Sequence, residues 1–320
     1  MGVIGKRNNY SLLPITLITP ITPIIPSFFL LVRKRFPKFV VESKPFRNMK
    51  RVFITLLGVV LVGGTALGWG TRGHEATTKI AEKHLTPKAK KLLDKYLDGK
   101  SIVDYASWAD EYKKELLFEL DFEPSNAPRR LRYPHTFEAN ADCTVFEGDR
   151  RGNEWVKNCV YMAVGYANDL KANHKNMDND ERFHKIAMLI HWLGDMHCPA
   201  HIRYPDDQTS SGYEVMMGDR TIWYHRLWDG ILFNWLHPSS RGDAAEEIDT
   251  CTAKEIAKLV KGDLLDWGKD SATASRATRK YREGAQIDRD EFLAEFSELH
   301  DSQIRKGGYR LAKLFNDIFQ

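Results

Sequence analysis

His191 and Asp195 stand four residues apart, as do His225 and Asp229, and His201 follows closely on the first pair. On a helix this spacing sets both side chains on one face, a turn apart. Imidazole nitrogens and carboxylate oxygens together suit zinc. Two such pairs plus His201 imply more than one ion, and a multi-zinc site suits hydrolysis of a phosphate or carbonyl ester. One His-x-x-x-Asp alone carries little weight, since a chain with 11 His shows about one by chance. Three further features strengthen the case. Trp69-Gly-Thr-Arg-Gly-His74 places a His five residues from Trp69, Ser107-Trp-Ala-Asp110 puts a carboxylate on a helix beside an aromatic, and Tyr133-Pro-His135 puts a His in a loop.

Trp69 gains importance from what precedes it. Met49-Lys-Arg51 is a short basic stretch, Phe53 to Leu67 is apolar and uncharged, and Ala66 and Gly68 are small. That is the pattern of a cleaved secretory signal over 49–68, and the apolar run is short for a membrane span. Cleavage after Gly68 makes Trp69 the new N-terminus, whose amine and carbonyl oxygen can chelate a metal once the amine loses its proton. Residues 1–48, with a Pro-broken apolar stretch and Arg33-Lys-Arg35, read as an upstream extension of the true start at Met49.

Removing 1–68 takes away ten basic residues and one acidic one, which leaves 37 Lys+Arg against 42 Asp+Glu. The remaining chain is therefore no polycation built for phosphate backbones, and a grip on nucleic acid must come from metals and a local pocket. Its length suits one compact domain. Export permits disulfides. Cys143 with Cys159 is a plausible pair, whereas Cys198 and Cys251 stay open between pairing and free thiols. The lack of an Asn-x-Ser/Thr site after Trp69 leans towards a bacterial exported protein.

The elements that must position these residues read as helices. Thr86-Pro87 is an N-cap followed by Pro at the first helical position. Helical periodicity continues through roughly 103–121, 154–172, 180–197, 221–236, 244–260, 262–284 and 289–318. Pro199 stops the helix carrying His191 and Asp195, and Gly307-Gly308 should bend or split the last helix. Tyr213 to Met217 is the one short strand candidate. The long polar loops at 122–152 and 202–220 suit the lining of a site. His84, His174, His184, His237 and His300 lack a partner pattern and read as surface or helix-face residues, while His197 reads as a neighbour of the ligands. Trp108, Trp192, Trp223, Trp228 and Trp235 read mostly as core aromatics, with one or two of them able to stack on a base.

In order along 69–320, the motifs resemble the S1/P1 nuclease family, zinc-dependent single-strand nucleases related to the zinc phospholipases C. The family's Trp-Gly-x-x-Gly-His is matched at 69–74 and its Ser-Trp-Ala-Asp at 107–110. His-Phe-x-Gly-Asp-x-x-x-Pro-x-His is matched from His191 through Asp195 and Pro199 to His201. Asn-Leu-His-x-x-Trp-Asp is matched by Tyr224-His225-Arg-Leu-Trp228-Asp229, and Gly-Gly-x-Arg-Leu-Ala by Gly307 to Ala312. The resemblance implies an all-α fold, a single mostly helical domain with a trinuclear zinc cleft. One zinc would be held by Asp110, His135, His191 and Asp195. A second would be held by His201, His225 and Asp229. A third would be held by Trp69, His74 and Asp195. It also implies that Asp110 takes part in catalysis, that the substrate is single-stranded nucleic acid or a nucleotide, that the products carry 5′ phosphates, and that no stable membrane association persists.

Two departures concern the substrate. Where the family has an aromatic directly after the loop His and an Asp two positions later, this chain has Thr136 and Glu138 with Phe137 between. Where the family has Gly-Gly-Asn, it has Ser211-Gly-Tyr213. Thr136, Phe137, Glu138 and Tyr213 are thus the candidate substrate contacts. A 3′-nucleotidase, another phosphodiesterase such as a phospholipase C, and a non-catalytic zinc protein are the competing readings. The short Trp69–His74 gap and Asp229 in place of Glu argue against a phospholipase C. Sites left partly open to solvent argue against structural zinc, which four protein ligands normally close off.

Overall fold

The structure, a computed structural model, describes residues 69–112, 135–147, 158–205 and 213–320. The signal and upstream readings over 1–68, Tyr133-Pro134, Ser211-Gly212 and parts of the two long loops lie outside the described residues.

The fold is mostly helical, as the periodicity predicts. Helix α1 spans Thr71–Lys83 and α2 Pro87–Tyr96, the latter capped by the Thr86 hydroxyl, which accepts from the Ala89 N–H. A short helix, α3, covers Trp108–Glu111. Helix α4 (Cys159–Asn173) starts at Asn158, and α5 (Asn179–Asp195) starts at Asp178; both caps satisfy amide donors that a helix start leaves open. Asp195 is the last residue of α5, and a tight 3₁₀ turn from Pro199 to His201 follows. Proline cannot extend the helix, so the chain turns there and returns His201 towards Asp195.

The described residues also hold short strands, one of them at the expected Tyr213 to Met217 candidate and one at the start of the helix expected from 221. Strand β1 (Phe137–Glu138) pairs in parallel with β2 (Ile202–Arg203), and β3 (Glu214–Met217) pairs antiparallel with β4 (Arg220–Trp223). The predicted helix from 221 therefore begins later. Gly218, with φ +58, is the first residue of a two-residue turn, the conformation that lets strand twist continue through a hairpin. Thr221, Ile222 and Trp223 also favour a pleated surface. Helix α6 (Tyr224–Arg226) runs into a π-helical turn, Leu227–Ile231, and then α7 (Leu232–Leu236). Wide turns of this kind often occur at functional sites, and this one carries Asp229.

The C-terminal part comprises α8 (Ala244–Ile248), α9 (Ala253–Leu259), α10 (Leu264–Arg276) and α11 (Arg289–Ile318). Contrary to expectation, Gly307-Gly308 does not split α11, which is one helix of 30 residues. The glycines serve contact instead. A Cβ on Gly308 would stand 2.6 Å from Ile80 Cγ2 and 2.9 Å from the Thr77 carbonyl oxygen, so α11 closes on α1 only where side chains are missing.

Two apolar clusters hold the fold. One gathers Leu93, Leu170, Ile190, Trp192, Leu193 and Phe315. The other gathers Trp69, Ile80, Tyr224, Trp228, Phe233 and Phe296. Each fully buried side chain of this kind contributes about 1.5–3 kcal/mol. Helix α1 feeds both clusters, through Ala81 and through Ala76 and Ile80. The His191–Asp195 stretch is rooted in the first and the His225–Asp229 stretch in the second.

All four cysteines are free thiols. The suggested Cys143–Cys159 disulfide is therefore not present; Cys159 is fully buried at the start of α4, in the same apolar cluster as Cys143. Among the described residues no helix is long and apolar enough to cross a membrane.

Candidate metal centre

The structure brings the predicted ligands together. His74 from α1 stacks on His191 from α5, with ring centroids 4.2 Å apart. His74 Nε2 lies 3.5 Å from Asp195 Oδ1, and His191 Nε2 lies 3.1 Å from Asp195 Oδ2 and 3.8 Å from Asp110 Oδ1. His201 reaches both carboxylates, with Nδ1 3.1 Å from Asp195 Oδ1 and Nε2 3.3 Å from Asp229 Oδ1. His225 Nε2 is 2.7 Å from Asp229 Oδ2 across the π turn. His74, Asp110 and His191 form one group with the spacing of metal ligands; His135, His201 and His225 form another. Asp195 stands between them.

Burial and hydrogen bonding distinguish these side chains from an ordinary ion-pair network. His74, Asp195 and His201 are fully buried, yet both nitrogens of His74, both oxygens of Asp195 and both nitrogens of His201 make no hydrogen bond. Buried polar atoms left this way carry a heavy penalty unless something else satisfies them. Imidazole and carboxylate lone pairs converging on one point fit a divalent cation of the zinc type. His191 Nδ1 donates to the Ala106 carbonyl at 3.2 Å, which fixes the tautomer and turns Nε2 towards the carboxylates.

The charges fit the same reading. Burial works against a proton on His191, but Asp195 and Asp110 outweigh it and raise the imidazole to about 9. Burial likewise opposes His201, and Asp195 and Asp229 raise it to about 10. Burial, then His191, lowers His74. Asp195 and Asp229 are held below the ordinary carboxylate range by the imidazoles despite burial. A cation entering the site must displace the protons on His191 and His201.

His135 is brought into the centre, but next to the other group than the family pattern suggests. Its ring lies 5.2 Å from that of His201 and 6.4 Å from that of His225. Burial and then His201 push it down to about 3, so it is neutral and available as a ligand. Trp69 is fully buried beside His74, and the Gly70 amide donates to the Asp229 carbonyl. Residue 69 is thereby tied to the second His–Asp pair.

Gly194 decides how close His74 can come. A Cβ there would stand 2.5 Å from His74 Nδ1 and 3.6 Å from Trp69 Cδ1. Gly194→Ala must therefore push the imidazole off Asp195 while leaving the helix intact, since Ala is a good helix former. The expected outcome is a loss of about 10–100-fold in metal affinity or activity, the size seen when ligand orientation is disturbed. Metal titration of the folded variant checks it, and wild-type affinity would refute the packing argument.

The suggested substrate contacts are corrected by burial. Phe137 is 1% exposed and packs in the core. Glu138 is buried near Arg203, 3.9 Å from its guanidinium. Tyr213 is 4% exposed, stacks on Tyr224 and donates to the Tyr281 carbonyl. None of these three presents a face to a base. Thr136 is half-buried, with its hydroxyl accepting from Arg203.

Several residues around the site escaped the sequence reading. Cys198, within the Asp195–His201 motif, donates its thiol to Asp229 Oδ1 at 3.3 Å; burial and then Asp229 hold the thiol well above its ordinary pKa, so it stays protonated. His197 is a neighbour and not a ligand, because Nδ1 donates to the Leu193 carbonyl and Nε2 accepts from Arg310. His237 and His300, read as surface or helix-face residues without a partner, are buried and share Asp301, each at 2.9 Å. His300 stands edge-on to the Trp69 indole at 4.9 Å. His197 keeps its reading as a neighbour, whereas the contacts of Cys198 and His237 were missed because Asp229 and Asp301 lie 31 and 64 residues away.

The comparisons with known proteins agree with the motifs. The S1/P1 nuclease family model matches residues 69–320. Endonuclease 2 of Arabidopsis thaliana is 24% identical over 270 residues, covering 79% of this chain and 91% of its own. Endonuclease 4 of the same plant is 23% identical over 296 residues, covering 85% and 96%. Nuclease P1 of Penicillium citrinum is 22% identical over 283 residues, covering 78% and 97%. With its His and Asp side chains gathered between α1, α5 and the π turn, and with a family match that begins at Trp69 and runs to the last residue, the chain belongs to the S1/P1 nuclease family, hydrolases that act on phosphodiester bonds.

Proposed function

We propose that this protein is an exported, zinc-dependent endonuclease that cleaves single-stranded DNA and RNA to 5′-phosphate products and also releases phosphate from 3′-nucleotides. The observation that supports it most is the set of buried imidazole and carboxylate atoms of His74, Asp195 and His201 that make no hydrogen bond. Buried atoms in this state carry a penalty that a bound cation would relieve.

Three ions are proposed. Asp110, His191 and Asp195 would hold the first, completed in the family pattern by His135, whose ring lies beside those of His201 and His225. His201, His225 and Asp229 would hold the second. His74, Asp195 and the amine and carbonyl of Trp69, freed by cleavage after Gly68, would hold the third. Zinc in these positions supplies Lewis acidity to the phosphoryl oxygens and brings water towards ionisation at neutral pH. The chain's own residues do the rest. Ala106 fixes His191, and Cys198 fixes Asp229. Asp110 is buried and faces His191; in this reading it would orient the attacking water and take its proton. Ligands held on α1, α3, α5 and the π turn would keep this geometry without reorganisation during the reaction.

Chelator-sensitive hydrolysis of single-stranded DNA with release of 5′-phosphate ends tests the proposal.

A further inference from the structure

Trp223 differs from the other indoles among the described residues. Trp69, Trp192, Trp228 and Trp267 are buried, and Trp108 and Trp235 are half-buried. Trp223 is 52% exposed, and its side chain makes no ring stack, hydrogen bond or cation–π contact among the described residues. A large aromatic left in water is informative where an exposed small apolar residue is not.

Its place in the fold gives it a use. Trp223 ends β4 and caps the start of α6, two residues before the proposed ligand His225. Ile222 packs against the second apolar cluster, and strand alternation turns Thr221 and Trp223 to the opposite, exposed face. Arg226 follows three residues later and Arg220 precedes by three; both are exposed. The resembled motif has Asn where this chain has Trp223. The expected base contacts Phe137 and Tyr213 are buried, so the strand has no face to meet there.

We propose that Trp223 is a stacking platform for one base of a single-stranded nucleic acid, with Arg226 beside it taking a backbone phosphate, next to the His225–Asp229 end of the metal centre. The identity of the strand rests on the nuclease reading. An exposed aromatic flanked by cations is how sequence-tolerant single-strand binding is built, because every base has a π face and every linkage a charge. The placement holds the strand beside the His225–Asp229 pair and lets the platform accept any base.

The test measures binding without turnover. Affinity of zinc-loaded enzyme, purified after expression of the full chain, is measured for a short oligothymidylate phosphorothioate and for a base-free abasic oligomer with the same linkages. Trp223→Ala should weaken binding of the thymidylate about tenfold or more and leave the abasic strand unchanged, with zinc content intact. Trp223→Phe should keep most of the affinity. Arg226→Gln should weaken both strands alike and lower the salt slope by about 0.7. Unchanged thymidylate affinity in Trp223→Ala overturns the proposal, as does an equal loss on both strands or a loss of zinc. Turnover of ordinary DNA by the wild type is scored separately, so its absence would count against the nuclease reading while the affinity comparison still decides the platform.

Discussion

Asp195→Asn removes activity by about 10³-fold or more and disturbs two metals together, whereas Asp229→Asn disturbs one. The asymmetry follows from position. Asp195 is fully buried at the end of α5 and lies within 3.5 Å of nitrogens from His74, His191 and His201. Asp229 meets nitrogens of His201 and His225 and the Cys198 thiol, all on one side of the centre. An amide in place of Asp195 keeps the shape, loses the charge, and turns an NH₂ towards nitrogens that need an acceptor. Several kcal/mol of charge stabilisation is at stake, and each 1.36 kcal/mol is tenfold in rate. Metal counts on the two purified variants read the difference directly. Equal metal loss in both would remove Asp195 from its place between the groups.

The second large effect concerns the N-terminus. Adding one glycine before Trp69 in the processed enzyme should cut activity by about 10²–10³-fold and lower the metal content by one ion. The amine would become a peptide nitrogen, whose lone pair is delocalised into the carbonyl and no longer serves as a ligand. Packing offers no escape, because Trp69 is fully buried, His300 stands edge-on to its indole, and the Gly70 amide is fixed to the Asp229 carbonyl. The residue cannot slide to bring a new amine into its place. Full activity and full metal in the extended enzyme would refute chelation by the terminal amine.

What could be read from the sequence was local. His191 with Asp195 and His225 with Asp229 are pairs within one turn, so their spacing alone predicts that they meet, and they do. The Thr86 cap and the helix stop at Pro199 are also short-range signals, and both appear as expected. Misreadings came where tertiary contacts decide. Gly307-Gly308 looks like a break by propensity, yet the two glycines let α11 pack against α1. Phe137 looks like a base contact because it follows a ligand His, but pairing of β1 with β2 turns it into the core. His237 and His300 meet only because Asp301 stands between them, 64 residues along the chain from the first. Trp223 is one of five tryptophans left between core and base stacking, and its exposure, which does not show in a sequence, singles it out.

The central claim is that the buried His and Asp cluster is a zinc centre that hydrolyses phosphodiesters. One measurement tests it most directly: zinc content and hydrolysis of single-stranded DNA, determined on the same purified sample before and after a chelator and again after zinc is restored. The account predicts three zinc ions per chain, release of 5′-phosphate fragments, loss of both together on chelation, and recovery of both with zinc. Hydrolysis that persists at full rate in protein stripped of metal would contradict it.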